Sequence, residues 1–485
     1  MTKWMNKPIS ELHDALVRKT VTPLQLVQDC IDGVKADKGN CFEATAFDQA
    51  LAEAAKIDDV KPEEYLKGIP FLAKDNFSTK GVETTASSDI LNGYVPLFDA
   101  TAISRLKRAG MIMVAKTTMD ELAMGGTGTT GHKGNTPNPY DPERIVGGSS
   151  CGSAASLAYG IAPLALGSDT GDSVRKPASY SATVGFKATW GRISRFGLFP
   201  FATSMDAVGF FTRNVLDAGY VLSALSGHDR MDMSSSNRKK EKYETYVEKK
   251  KTLHRIGYFR AVVDAMTDPI IKESYLRLLD GLKERGFEVV CYDYPEKLLD
   301  ALYPTYMILS CAESTSNNAN LDGIRFGPKP EGTIETYSDY MRKARTRGFS
   351  DLIKRRFVIG SFSLLSANQA EMFNRAQKAR RLIVDEMNRF FDSIDYLVVP
   401  ASYGKPKKIA ELSTAWSLKP DFLDNILTLG NFGGYPSLTL PLGFEDGLPF
   451  GVNVTGRIFE DGYVLGLGKE IEELTGLKDI VKEDK

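Results

Sequence analysis

Two short runs of glycine and hydroxyl residues hold the chain's most conspicuous chemistry. Gly126-Thr127-Gly128-Thr129-Thr130-Gly131 has the GxGxxG spacing that brings backbone N–H groups up to a pyrophosphate. The residues before it, MDELAM, suggest a helix end and supply no strand, so the run reads as a Gly-rich loop. Gly148-Ser149-Ser150-Cys151-Gly152 has the GxSxG spacing of a nucleophile elbow, with Ser150 at its centre. That chemistry needs an acid and then a histidine downstream, and only His228 and His254 follow, neither in a site-like context. Four histidines in all (His13, His132, His228, His254) leave little for histidine-based general-base or metal catalysis. A lysine can activate a serine instead, provided that burial disfavours the ammonium and lowers its pKa towards neutrality. Lys74, directly after the apolar run Gly68–Ala73, is placed for that role, although the residues alone read more simply as a lysine that ends a strand.

Such side chains need a scaffold to hold them. Thr22-Pro23 predicts the N-cap and first residue of a helix whose Leu26, Val27, Cys30, Ile31 and Val34 form one apolar stripe. Gly68–Ala73, Met111–Ala115 and Ala162–Gly167 are short apolar runs stopped by Gly or polar clusters, which predicts buried strands. With helical stretches between them, an α/β sheet follows. GGTGTTG, GGSSCGS and GSDTGDS then crowd the region 126–215 with loops at strand ends. Met231–Lys251, rich in Ser, Lys and Glu, predicts a solvated surface insertion. A βαβ unit comes next: Arg255–Phe259 extended, a helix capped by Asp268-Pro269 and stopped by Gly286, and Phe287–Tyr292 extended, forming a second lobe or a sheet edge. Ile394–Val399 and Pro436–Leu442 predict two more strands.

Composition bounds the class. With 42% hydrophobic and 25% charged residues, the 485-residue chain can bury a large core. Lys+Arg (61) and Asp+Glu (62) nearly cancel, which excludes nucleic-acid binding through an overall basic field and leaves only a local patch. Five scattered cysteines without CxxC spacing argue against a disulfide framework and a zinc site and fit a reducing cytoplasm. No signal-peptide pattern and no run of roughly 18 apolar residues is present, so a soluble protein without a membrane partner is expected.

The run GGSSCGSAASLAYG, followed by GSDTGDSVRKPASYSATVGFKATWGRISRFGL, resembles the signature of the amidase signature family. GIPFLAKDN upstream resembles that family's catalytic-lysine segment. The resemblance implies an α/β amidase signature fold, a large central mixed β-sheet covered by helices on both faces. It implies one such domain over residues 1–485, with its signature core at about 60–215 and a second lobe at about 250–390. It also implies a Ser-Ser-Lys triad: Lys74 as base, Ser149 as bridging serine on a cis peptide bond, and Ser173 as nucleophile. The N–H groups of Thr170, Gly171, Asp172 and Ser173 become the oxyanion hole, with no metal. Where the family commonly has GGS, this chain has Gly171-Asp172-Ser173. Either the aspartate strains the loop and sets negative charge near the oxyanion, or its side chain turns away and only its N–H matters.

Within the family, KTTMDELAMG, HKGNTPNPYDPERIVGGSS, AESTSNNANLDGIRFG and RRFVIGSFSLLSA are similar to the A subunits of the glutamyl-tRNA(Gln)/aspartyl-tRNA(Asn) amidotransferases. This similarity implies a glutaminase whose ammonia converts misacylated glutamyl-tRNA(Gln) to glutaminyl-tRNA(Gln) in a cytoplasmic heterotrimer. The B subunit of such an assembly would hold ATP, Mg²⁺ and most of the tRNA, a small C subunit would clamp the pair, and this chain would need no cofactor. Arg356 matches the position that binds the substrate carboxylate. For the amino group, Asp424-Asn425 stands where the family has the two residue types exchanged, so either Asp424 reaches the site or Asn425 accepts a weaker bond. Tyr306 would border the pocket. The sequence leaves two alternatives open: a free-standing amidase acting on a small amide, and a scaffold subunit that Asp172 has disabled.

Overall fold

The structure, a computed structural model, describes residues 4–412 and 421–482. Its centre is a mixed sheet of eleven strands among the described residues. In chain order these are β1 (Phe42–Thr45), β2 (Pro70–Lys74), β3 (Ile112–Thr117), β4 (Ala165–Asp169), β5 (Val184–Lys187) and β6 (Ala207–Thr212), then β7 (Arg255–Phe259), β8 (Glu288–Tyr292), β9 (Tyr396–Pro400), β10 (Ser437–Glu445) and β11 (Leu448–Gly456). Their spatial order is β1-β3-β2-β4-β6-β5-β10-β11-β9-β7-β8. β2 runs parallel to both β3 and β4, and β7 runs parallel to β8 and β9. The other neighbours are antiparallel.

Both faces of the sheet are buried. Along β9, Tyr396 and Val398 join one apolar core while Leu397 and Val399 join the other, the alternation that a pleated strand imposes. This two-sided burial explains why the strands read as unbroken apolar runs. The predicted strands around 68–73, 111–115 and 162–167 are all present, but each extends further towards its C-terminus, into Lys74, Lys116-Thr117 and Ser168-Asp169. The predicted βαβ unit lies at one sheet edge, with β8 outermost.

Local signals account for much of the rest. The helix Pro23–Lys35 starts with a capping box: Thr22 Oγ1 accepts from Gln25 N at 3.2 Å, and Gln25 Oε1 accepts from Thr22 N at 2.8 Å. β10 and β11 form a hairpin through Asp446-Gly447, both at positive φ (50° and 77°), an Asp-Gly turn not among the sequence expectations. The stretch 231–251 is largely exposed, as expected of a solvated insertion, but it is anchored to the core. Tyr243 and Val247 are buried, and the helix Glu244–Glu248 packs on the helices Val215–Leu225 and Asp461–Thr475. Among the described residues no helix is long and apolar enough to cross a membrane.

Candidate active site

The parallel neighbours β2 and β4 deliver their C-terminal ends side by side, the usual place for chemistry in such sheets. Lys74 is the last residue of β2 and is fully buried. Its Nζ donates to Ser149 Oγ at 2.7 Å, to Ser168 Oγ at 2.9 Å and to the Ser168 carbonyl at 3.3 Å. Burial depresses its pKa to about 7, against the opposing pull of Cys151, Asp120, Asp169 and Asp206. No carboxylate makes a salt bridge with it among the described residues, so the neutral amine is accessible at ordinary pH. The Gly148–Ser149 peptide is cis.

Ser149 is backed by a network that the sequence did not single out. The Asp120 N–H donates to the Ser149 carbonyl at 3.1 Å. The Asp120 carboxylate in turn accepts from the N–H groups of Thr127, Gly128, Thr129 and Thr130 at 3.0–3.1 Å, and from Thr130 Oγ1 at 2.8 Å. The GxGxxG run is therefore an anion nest filled by an internal carboxylate, with no phosphate needed to satisfy it. A Cβ at Gly148 would sit 1.9 Å from Asp120 Oδ2, which fixes glycine there. Ser150, the centre of the GxSxG match, donates its hydroxyl to the Ser168 carbonyl at 3.2 Å and bonds to no histidine among the described residues.

Ser173 lies on the loop that leaves β4. Its carbonyl accepts from Ser150 N at 3.3 Å, joining this loop to the Ser149 segment, while its hydroxyl makes no hydrogen bond with a described residue. The backbone N–H groups of Thr170, Gly171, Asp172 and Ser173 likewise donate to no described group, four successive donors left open. The loop is held by a buried ion pair, Arg175 to Asp169, with Nη2 2.9 Å from Oδ1 and Nε 3.1 Å from Oδ2. Arg175 also donates to the Gly171 carbonyl at 2.7 Å and to Asn431 Oδ1 at 2.6 Å. Although burial opposes it, this pairing holds the Asp169 carboxyl at about 2. Thr170 Oγ1 donates to Asp206 at 2.7 Å. Ser168, Asp169, Arg175, Asp206 and Asn431 are thus positioning residues missed in the sequence, where SDTGDSVR carried the only local hint, an Asp and an Arg six residues apart.

Gly171 does not take positive φ, and neither does Asp172. The reason for glycine at 171 is close approach: a Cβ there would meet the Tyr306 ring at 3.1 Å. Tyr306 stands edge-on to Phe201, and the Arg356 guanidinium lies over Phe201 at 5.6 Å. Arg356 is buried with 9% of its surface exposed, and its Nε and Nη1 have no hydrogen-bond partner. Asp172 turns towards Lys176, with Oδ2 3.7 Å from its Nζ. Burial pushes the Asp172 carboxyl up to about 6, with Lys176 opposing. Lys176 Nζ also donates to the Asp424 carbonyl at 2.9 Å and lies 3.5 Å from its Oδ1, and the Tyr403 hydroxyl bonds that same carboxylate oxygen. Against the raising effect of burial, these partners lower the Asp424 pKa. Asn425 instead donates to the Asp421 carbonyl at 3.1 Å within its own turn. Of the two exchanged residues, only Asp424 is connected to the nucleophile loop. Among the described residues no group of three His, Cys, Asp or Glu is placed to hold a metal ion.

Comparison with known proteins bears on the family and the fold. The model of the amidase family matches residues 25–465. The A subunit of glutamyl-tRNA(Gln) amidotransferase from Heliobacterium modesticaldum is 37% identical over 484 residues, covering 98% of each chain. The crystal structure of the corresponding A subunit from Thermotoga maritima superimposes with a TM-score of 0.79 at 32% identity, covering 97% of this chain and 95% of the other. A bacterial aryl acylamidase shares the fold with a TM-score of 0.83 at 22% identity, over 97% of this chain and 96% of its own.

Proposed function

The chain belongs to the amidase family, and we propose that it is the glutamine-hydrolysing A subunit of a tRNA-dependent amidotransferase, acting through Lys74, Ser149 and Ser173. What carries this proposal is one juxtaposition: a buried lysine 2.7 Å from a serine hydroxyl, in a site that also buries an arginine with two unpartnered N–H groups. The first half suits amide hydrolysis. The second suits a substrate with a free carboxylate, because buried donors without partners are costly and an anionic acceptor forms the stronger, charge-assisted hydrogen bond with a guanidinium.

In the neutral amine of Lys74 two hydrogens serve the Ser168 carbonyl and hydroxyl, leaving the lone pair for the Ser149 hydroxyl. Lys74 takes the Ser149 proton as Ser149 takes that of Ser173, and Ser173 Oγ attacks the carboxamide carbon of glutamine. The relay closes when the Ser173 hydroxyl rotates onto Ser149, contacts of this kind being commonly loose before substrate binds. The open N–H groups of residues 170–173 receive the negative charge on the carbonyl oxygen. The proton returns through Ser149 to the departing nitrogen, ammonia leaves, and water hydrolyses the γ-glutamyl ester to glutamate. Arg356 holds the α-carboxylate beside Tyr306, and Asp424 accepts from the α-ammonium. In such an assembly ATP, Mg²⁺ and most of the tRNA would belong to a partner B subunit, with a C subunit clamping the pair; what supports an assembly is that the relatives are A subunits of an amidotransferase.

The test is ammonia release from glutamine by the chain assembled with B and C subunits, with and without ATP and misacylated tRNA. Release should rise with both and vanish in Ser173→Ala. Unchanged glutamine-dependent transamidation by the Ser173→Ala complex would refute the proposal.

A further inference from the structure

Overall charge is balanced, yet positive charge is concentrated in one concavity that is lined by none of the residues of the site above. A groove of about 580 Å³ is lined by Arg105 and Arg108 of the helix Thr101–Arg108, by the turn that ends the helix Val215–Leu225, and by the segment 237–240. Arg108, Arg238, Lys239 and Lys240 form no salt bridge with any described residue. Arg105 directs its guanidinium to the carbonyls of Leu225, Gly227 and His228 at 2.5–2.9 Å and makes no salt bridge with a described residue, the Asp229 carboxylate offsetting part of its charge from further off. The acids of this region are already engaged. Asp229 accepts from Thr101 Oγ1 and Ser194 Oγ, both at 2.6 Å, and Glu241 faces the Tyr246 hydroxyl at 2.8 Å and Arg192 at 3.8 Å.

A run such as Arg238-Lys239-Lys240 is usually a solvated face, but here its backbone is fixed. Buried Arg192 donates to the carbonyls of Arg238 and Lys239 at 3.0 and 2.7 Å, which turns the polar backbone inwards and leaves the side chains to the groove. The Arg238 guanidinium is further placed 4.3 Å over the Phe459 ring. Burial, and then the like charges of Arg105, Arg108 and Arg192, push the Lys240 ammonium below its ordinary pKa. Cations gathered in this way from separate segments repel one another unless an anion meets them. Four unpaired cations exceed what one carboxylate can neutralise, and guanidinium forks beside ammoniums suit oxyanions of high charge density. We propose that this groove is a second ligand site, which binds two or more phosphate groups of a single ligand. The proposal is independent of the amidase assignment.

A compact polyphosphate and an RNA backbone share this chemistry. The test measures binding of a labelled RNA duplex of about 20 base pairs, and of inorganic tripolyphosphate, to the full chain. The proteins are wild type and the triple variant Arg108→Ala, Lys239→Ala, Lys240→Ala, in which only side chains of the groove's surface are changed. At 50 mM salt at least one probe should bind wild type and bind the variant at least tenfold more weakly. For the duplex, the dependence of log K on log salt should become shallower by about two to three, roughly one per lost phosphate contact. Duplex binding that tripolyphosphate barely displaces identifies an RNA backbone, whereas tripolyphosphate binding without duplex binding identifies a compact polyphosphate. If neither probe binds wild type, or if the variant keeps the same affinity and salt dependence, the proposal is wrong.

Discussion

The acid limb of the pH profile tests the lysine mechanism most directly. Lys74 must be neutral to accept a proton, and burial sets its pKa at about 7. The neutral fraction is then about 9% at pH 6 and about 91% at pH 8, so kcat/KM for glutamine should rise about tenfold between them and level off above pH 8. An ordinary lysine with a pKa near 10.4 would be about 0.4% neutral at pH 8, and the rate would still climb about tenfold per unit towards pH 10. The assay is ammonia release from pH 5.5 to 9.5 at constant ionic strength. One neighbour titrates in the same range, since the Asp172 carboxyl is pushed up to about 6. Its negative charge opposes the developing oxyanion, so its protonation below pH 6 should flatten the wild-type limb. Asp172→Asn should show a single ionisation near pH 7. Because Lys176 at 3.7 Å already offsets the charge, the kcat plateau of that variant should rise less than about tenfold. A rate that keeps climbing from pH 8 to 10 in both proteins, or that is flat from pH 5.5 to 8, would refute Lys74 as the base.

Four further outcomes follow from the same geometry. Arg356→Ala should raise KM for glutamine about 10- to 150-fold, the range of a charged hydrogen bond worth about 1.5–3 kcal/mol, while leaving kcat/KM for an amide without an α-carboxylate little changed. Asp424→Asn should raise KM for glutamine at least about tenfold, whereas Asn425→Ala, which loses only a turn contact, should stay within about twofold; equal effects would contradict the assignment of Asp424. Arg175→Met leaves Asp169 buried without its partner and should cost about 3–5 kcal/mol in denaturant unfolding, together with a large loss of kcat as the Gly171 carbonyl is released. His132, bonded to Glu43 and Asp89, has its pKa raised to about 9 although burial opposes the charged form. Its contribution is therefore complete below about pH 6.5 and lost as pH rises through 9; after solvent screening it amounts to about 1–2 kcal/mol, and His132→Gln should flatten stability over that window.

How much of this was legible depended on what each residue's neighbours are. The apolar interiors of β2, β3 and β4 stood out, because both faces of the sheet are buried. Their C-terminal ends did not, because Lys74, Lys116, Ser168 and Asp169 are polar residues buried in contacts with each other's loops, such as Lys116 with Asp75 at 3.1 Å. The strand signal fades where the site begins. Arg355 and Arg356 are alike in sequence, and the turn of the helix Asp351–Leu364 exposes the first while burying the second against Phe201. Lys74, Ser149 and Ser173 were reached through family resemblance. Asp120, Ser168, Arg175 and Asn431 were not reached at all, since their roles exist only where distant segments meet. The anchoring of the stretch 231–251 was missed for the same reason: Arg192, some 40 residues away, holds its backbone.

The unusual Asp172 is best understood together with Lys176 and Asp424. A side chain at position 172 is sterically admissible, because neither Gly171 nor Asp172 takes positive φ and the glycine needed for close approach is at 171. Its charge is the difficulty, and Lys176 answers it from one helical turn on, in contact with Asp172 and Asp424 together. Those contacts raise the Lys176 pKa even though burial opposes them, so the ammonium stays charged when both carboxylates are ionised. A substrate α-ammonium that reaches Asp424 therefore enters a place already shared by two carboxylates, by Lys176 and, 3.8 Å from Asp424 Oδ2, by Lys407. Without the second carboxylate the two lysines would leave that place positive, so Asp172 favours an amino acid amide over a neutral one. On this account Asp172 contributes its backbone N–H to the oxyanion and its side chain to substrate selection, and Asp172→Gly should weaken discrimination between glutamine and simple amides more than it changes the hydrolysis of either.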